Sequence, residues 1–148
     1  MITRTTETAF RILIDLASQE QTRVVSLSEL HSRIGGSQTY LAKVTAALTR
    51  ARIVRSNRGA QGGLALAKAP QEIRMIDVVT AIQGAPAPAF CETTVTLDPC
   101  SYHIAMADLY EAIVGSLSKR TLQDLLKKPC GSREKDQSYS ECRMCQKV

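Results

Sequence analysis

The sequence predicts a mainly α fold with one small β-hairpin: a winged helix-turn-helix followed by a long dimerisation helix. Three observations carry that expectation. The first half holds successive segments with helical apolar spacing, interrupted by a Gly35-Gly36 pair. A glycine-rich turn bearing Arg58 then joins two short strand-like runs. Beyond a cysteine-bearing stretch, helical apolar spacing is sustained from Ser101 to about Lys119.

The first helix is read in TETAFRILIDLAS, where Phe10, Leu13 and Ala17, with Ile14 and Leu16 beside them, give an apolar face. In VSLSELHSRIGG, Ser26 and Glu29 have capping-box spacing, Leu27, Leu30 and Ile34 form a stripe, and Gly35-Gly36 end the helix. Ser37 suits the N-cap of QTYLAKVTAALTRA, whose Leu41, Val44 and Leu48 share one face while Thr39, Lys43 and Arg50 lie opposite. That division suits a recognition helix, although an ordinary amphipathic helix would show the same pattern. IVRS and LALA, joined by NRGAQGG, read as a hairpin wing, where glycines let the backbone approach DNA and Arg58 can enter a narrow minor groove. The surface expected to meet DNA is therefore Ser37, Gln38, Thr39, Tyr40, Lys43 and Arg50, with Arg58 and Gly59 of the wing.

After Pro70, IRMIDVVTAIQG forms a short helix with Ile76, Val79 and Ile82 near one face, stopped by Gly84 and the Pro86 and Pro88 pair. In the long helix, Ile104, Ala105, Leu109, Ala112, Ile113 and Leu117 make a stripe. A domain this small has little core left for it to cover, so it is expected to pair with a second copy. Thr121 with Asp124 caps a last short helix, and residues 128–148 are polar. The expected division is a DNA-binding domain over 1–84, a cysteine-bearing loop over 85–100, the dimerisation and closing helices over 101–127, and a cysteine-containing tail over 128–148.

Composition bounds the function. The 148 residues are 44% apolar, enough for one core, and no apolar run approaches the roughly 20 residues that span a bilayer. MITRTTETAF lacks the apolar stretch of a signal peptide, so the expected compartment is the cytoplasm, with no membrane partner. The net charge of +5 is uneven: residues 1–70 hold ten Lys/Arg against four Asp/Glu, residues 71–148 nine against ten. A basic first half points to a polyanion partner. All five cysteines follow residue 90, and in a reducing compartment they suggest metal ligation or thiol redox chemistry before disulfides. No phosphate loop, activated serine or catalytic acidic pair is present in a recognisable motif, so an enzyme is not expected.

The run SQTYLAKVTAALTRARIVRSNRGAQGGLALAK, the helix with IDVVTAI, the loop cysteines and the closing TLQDLL resemble the IscR/NsrR type of bacterial winged-helix repressor, in the Rrf2 superfamily. The resemblance covers roughly residues 1–127. It implies a homodimer on a palindromic double-stranded operator and, in many members, an iron–sulfur cluster whose state sets DNA affinity. Such members place three cysteines in the loop, the fourth ligand being a histidine in the dimer helix or an acidic residue from the partner's first helix. Cys91 and Cys100 match the outer cysteines, His103 the histidine and Glu7 the acidic position, whereas the middle cysteine is missing from ETTVTLDP. Cys91, Cys100, His103 and a partner's Glu7 make four ligands, and mixed ligation favours a 2Fe-2S cluster. Cys130, Cys142 or Cys145 are alternative ligands or redox thiols. Two other readings stay open: a cluster-free regulator in which Cys142 and Cys145, or Cys91 and Cys100, form disulfides, and a zinc-stabilised module using Cys91, Cys100, His103 and a tail cysteine.

Overall fold

The structure, a computed structural model, describes residues 2–19, 23–57, 59, 62–85 and 100–127. Helix α1 (Arg4–Ala17) starts at Thr3, whose side chain accepts from the Thr6 N–H at 3.3 Å. It buries Ala9, Phe10, Ile12, Leu13 and Leu16, while Ile14 and Ala17 sit half-buried at the margin. Ile12 lies outside the expected stripe yet is fully buried. Helices on several sides and the hairpin pack on α1, so its apolar face is broader than one stripe.

Helix α2 (Leu27–Ile34) opens with the expected capping box: Ser26 Oγ accepts from the Glu29 N–H at 3.2 Å, and Glu29 Oε2 accepts from the Ser26 N–H at 2.7 Å. That backbone hydrogen bond, with the Ser26 hydroxyl and Arg23, holds the Glu29 carboxyl below the usual carboxylate range. The helix stops at Gly35 and Gly36, at φ 79° and 83°, where a side chain would be strained. Nδ1 of His31 meets the Gly36 carbonyl and closes this turn. Helix α3 (Gln38–Arg50) then starts at Ser37, whose Oγ accepts from the Tyr40 N–H at 3.2 Å. Leu41, Val44 and Leu48 go to the core as expected.

The wing is an antiparallel pair, β1 (Val54–Asn57) and β2 (Gly63–Leu66), running from Val54 opposite Leu66 to Asn57 opposite Gly63. Both strands lie one residue from the expected IVRS and LALA. Ile53 is used to close α3, its N–H reaching the Leu48 carbonyl at 3.0 Å. Gly63 can enter β2 because it has no side chain: a Cβ there would stand 2.9 Å from the backbone carbonyl of Val25. Val25 and Leu64 exchange two backbone hydrogen bonds of 2.8 Å, which brace the outer edge of the wing against the segment leading into α2.

A 3-10 turn (Pro70–Glu72) leads to α4 (Met75–Gln83), which buries Val78 and Val79 and ends at Gly84 with φ 87°. After α5 (Ser101–Lys119) the chain folds back. The Met75 N–H bonds the Arg120 carbonyl at 2.9 Å and the Leu122 N–H bonds the Ile73 carbonyl at 2.8 Å. Helix α6 (Leu122–Lys127) is thereby seated, with Leu122 in the same core as Phe10, Leu30 and Leu48. Asp124 Oδ2 accepts from the Thr121 N–H and hydroxyl at 3.0 Å, and Lys127 lies 3.1 Å from Oδ1. Led by that backbone hydrogen bond, these partners hold the Asp124 carboxyl at about 2, below its ordinary 3.8.

Two features differ from or go beyond the sequence pattern. The expected stripe of α5 is divided: Leu117 is buried in the protomer, whereas Ile104, Leu109 and Ile113 are 49%, 50% and 39% exposed. Helical spacing aligns Tyr102, Ala105, Leu109, Ala112 and Ile113 as one exposed strip, with Ile104 off its line. Asp15 of α1 has no solvent contact and accepts from Arg33 Nη1 of α2 on both carboxylate oxygens at 3.0 Å.

Arg33→Ala leaves Asp15 buried without a cation. The loss is about 3 kcal/mol, the low end for a broken buried pair because the Arg33 side chain is 23% exposed, and urea unfolding measures it. For Asp124 the folded value lies below the unfolded one. Its contribution is complete above about 3.8 and is lost as pH falls through about 2. Asp124→Asn is therefore less stable than the parent near neutral pH, and thermal melts across that window show the gap closing.

Candidate nucleic-acid interface and sensor segment

The three-residue turn between α2 and α3 directs α3 so that its apolar side faces α1, α2 and α4, and its other side faces solvent. Ser37, Gln38, Thr39, Lys43, Ala46 and Arg50 are exposed. Thr39, Lys43, Ala46 and Arg50 follow at i, i+4, i+7 and i+11, a single stripe along the helix. Tyr40 is placed differently: it is half-buried against the core, with its hydroxyl 3.3 Å from Thr8 Oγ1 of α1. Gly59 is exposed with φ 119°, while Arg58 lies outside the described residues. Gly62 is required at the wing turn because a Cβ would come 2.5 Å from the Asn57 carbonyl.

The electrostatics of this face are one-sided. No Asp or Glu occurs between Glu29 and Glu72, a run that holds Arg33, Lys43, Arg50, Arg52, Arg55, Arg58 and Lys68. Arg33 is taken up by Asp15, and Arg55 Nε donates to the Leu66 carbonyl at 3.3 Å. Lys43, Arg50 and Arg52 make no ion pair or side-chain hydrogen bond with any described residue. A count over half-chains dilutes this signal, which the spacing of the acidic residues carries directly. Unpaired cations beside short polar side chains on one helix face suit phosphate and base-edge contact.

The cysteine-bearing segment is described at its downstream end. Cys100 is the N-cap of α5 and its thiol is exposed; His103, one turn on, is half-buried. Cys91, Cys130, Cys142 and Cys145 lie outside the described residues. Among the described residues no group of three or more His, Cys, Asp or Glu is close enough to share a metal ion. Glu7, in the first turn of α1, is half-buried, and its carboxylate pairs with no described residue, Arg11 at i+4 included.

The upstream end of the segment is anchored to α1. Gln83 Oε1, the last side chain of α4, accepts from the Thr6 hydroxyl at 2.8 Å and from the Thr3 N–H at 3.3 Å. Thr6 has no solvent contact. On the other side of the same short stretch of α1, Thr8 meets Tyr40 of α3. The start of α1 thus touches both the helix that leads into the cysteine segment and the helix that carries the basic stripe. Gln83 and Thr6 have no sequence signal that pairs them, because the bond spans 77 residues.

Residues 2–128 match a protein family described as "Rrf2: Iron-dependent Transcriptional regulator". Protein rrf2 of Nitratidesulfovibrio vulgaris is 31% identical over 124 residues, 79% of this chain and 81% of that protein. Among solved structures, T. potens IscR is similar at 28% identity and a TM-score of 0.70, covering 86% of each chain. CymR, the global cysteine regulator of B. subtilis, superposes with a TM-score of 0.72 over 86% of this chain and 96% of its own. At 24% identity, that second likeness speaks to the fold alone. With its helix-turn-helix, braced wing and long α5 accounted for, the chain belongs to the Rrf2 family of transcriptional regulators, DNA-binding proteins and not enzymes.

Proposed function

We propose that the protein is a homodimeric regulator that reads a palindromic duplex with α3 and the wing, and that an iron–sulfur cluster at the start of α5 sets its affinity. The observation that carries the DNA-binding surface is the unpaired, acid-free stripe of α3. Lys43 and Arg50 contact phosphates; Ser37, Gln38 and Thr39 at the helix start reach base edges; Gly59 and Arg58 follow the adjacent groove. Tyr40, half-buried, sets the position of the helix start through Thr8. The exposed strip of Tyr102, Leu109 and Ile113 supports the dimer, because single exposed apolar side chains are ordinary and an aligned row is not.

For the cluster, the described donors fit in kind. Cys100 and His103 stand one helical turn apart at the head of α5, and thiolate with imidazole is iron–sulfur chemistry. Their number falls short, so the proposed set adds Cys91 and a partner's Glu7, whose carboxylate pairs with no described residue of its own protomer. A bound cluster supplies reversible one-electron chemistry and sensitivity to oxidants. The chain's own part is to couple that segment to the reading head: Gln83 holds the segment's upstream end on Thr6, and Thr8 holds Tyr40. A cluster-free thiol switch is the second reading, favoured by the exposed Cys100 thiol.

Purified without oxygen, the full-length protein is expected to be coloured and dimeric, with iron and sulfide in comparable amounts. Cys100→Ala removes the colour, and His103→Cys keeps it with a shifted visible spectrum. Colourless wild type after reconstitution ends the cluster reading, and mass spectrometry with blocked thiols then tests for a reversible disulfide. For the DNA surface, Lys43→Ala and Arg50→Ala each lower affinity and reduce the slope of log K against log salt by roughly 0.9 per lost phosphate contact. Unchanged slopes in titrations of both variants contradict these contacts.

A further inference from the structure

Arg52 is the single residue other than glycine with positive φ among the described residues, at 55°. It follows the C-cap Ala51 of α3, where the chain must reverse so that Ile53 and Val54 can be buried. The reversal is a Schellman closure: the Ile53 N–H bonds the Leu48 carbonyl and the Arg52 N–H bonds the Thr49 carbonyl, each at 3.0 Å. Position 52 is the one that this closure places in the left-handed region, and glycine is the residue that occupies it without strain. The chain spends an arginine there instead. Its side chain is exposed and pairs with no described residue, so among the described residues no partner offsets the conformation. The closure sets the backbone; the choice of an arginine over the unstrained glycine is what calls for a functional reason.

The surroundings say what the function is. Arg52 lies at the junction between the C-terminus of α3 and the first strand of the wing, two residues after Arg50 and three before Arg55, inside the acid-free run from 30 to 71. We propose that Arg52 is a DNA-backbone contact, held in a left-handed conformation so that its guanidinium bridges the phosphates between the groove read by α3 and the groove followed by the wing. Compensation of the helix dipole would be the structural alternative, but Arg50 already provides a cation in the last turn. The inference rests on α3 and the wing being the DNA-reading face.

The test uses the full-length protein and a duplex selected by the wild type from a randomised pool. Arg52→Gly relieves the backbone and removes the cation. Its melting temperature is expected to rise by about 2–4 °C, while affinity falls roughly 5–10-fold and the salt slope drops by roughly 0.9 for each protomer's contact. Arg52→Asn, which tolerates the left-handed region, loses affinity in the same way, and Arg52→Lys retains the slope. If Arg52→Gly binds the duplex with unchanged affinity and slope while Lys43→Ala does not, the contact is refuted and the DNA-reading face stands. A lowered melting temperature for Arg52→Gly would show that the arginine serves the fold, and overturns the proposal. Failure of the wild type to select any duplex overturns both.

Discussion

A carboxylate without solvent contact fixes the geometry on which the rest of this protein depends. Asp15 is held in the interior by two oxygens on one guanidinium nitrogen of Arg33. Arg33 is two residues from the first turn glycine, so α1 determines where α2 ends and hence where α3 begins. The hydrophobic core would tolerate small rotations of α2 about α1, since apolar contact is non-directional. A charge-assisted hydrogen bond shared by both carboxylate oxygens does not, because its attraction depends on both distance and angle.

What the sequence displays most clearly is local. The capping box at Ser26 and Glu29, the cap at Ser37 and the Gly35-Gly36 turn are each settled within four residues, and all are present. Pairings across the fold are silent in one sequence. Nothing adjacent to Asp15 names Arg33, and nothing adjacent to Thr6 names Gln83. Periodicity also merges faces that packing separates: Leu117 and Leu109 share one apolar pattern in α5, yet one is buried in the protomer and the other exposed. The one-residue shift of the wing strands has the same origin, since Gly63 enters the sheet through its closeness to Val25, far away in sequence. At the site, the basic stripe of α3 is legible because it is a helix-periodic pattern. The half-buried setting of Tyr40 is not, because an aromatic at a helix start suits base contact and core contact equally.

The first two turns of α1 lie between the end of α4 and the start of α3. Thr3 and Thr6 hold the end of α4, Glu7 pairs with no described residue, and Thr8 meets the start of α3. Hydroxyl contacts of this kind are individually weak, about 1 kcal/mol net each. Contacts this weak suit the proposed switch, which needs states only a few kcal/mol apart.

The brace between Val25 and Leu64 bears on what such a switch can alter. Because β2 is bonded on one edge to β1 and on the other to the strand-like residue that leads into α2, tilting the wing away from the helix-turn-helix would break two backbone hydrogen bonds. The wing and the helix-turn-helix are thus tied into one unit. In the proposed dimer, a signal arriving through α5 would act on the distance and angle between two such units, and operator choice becomes a matter of the gap between half-sites.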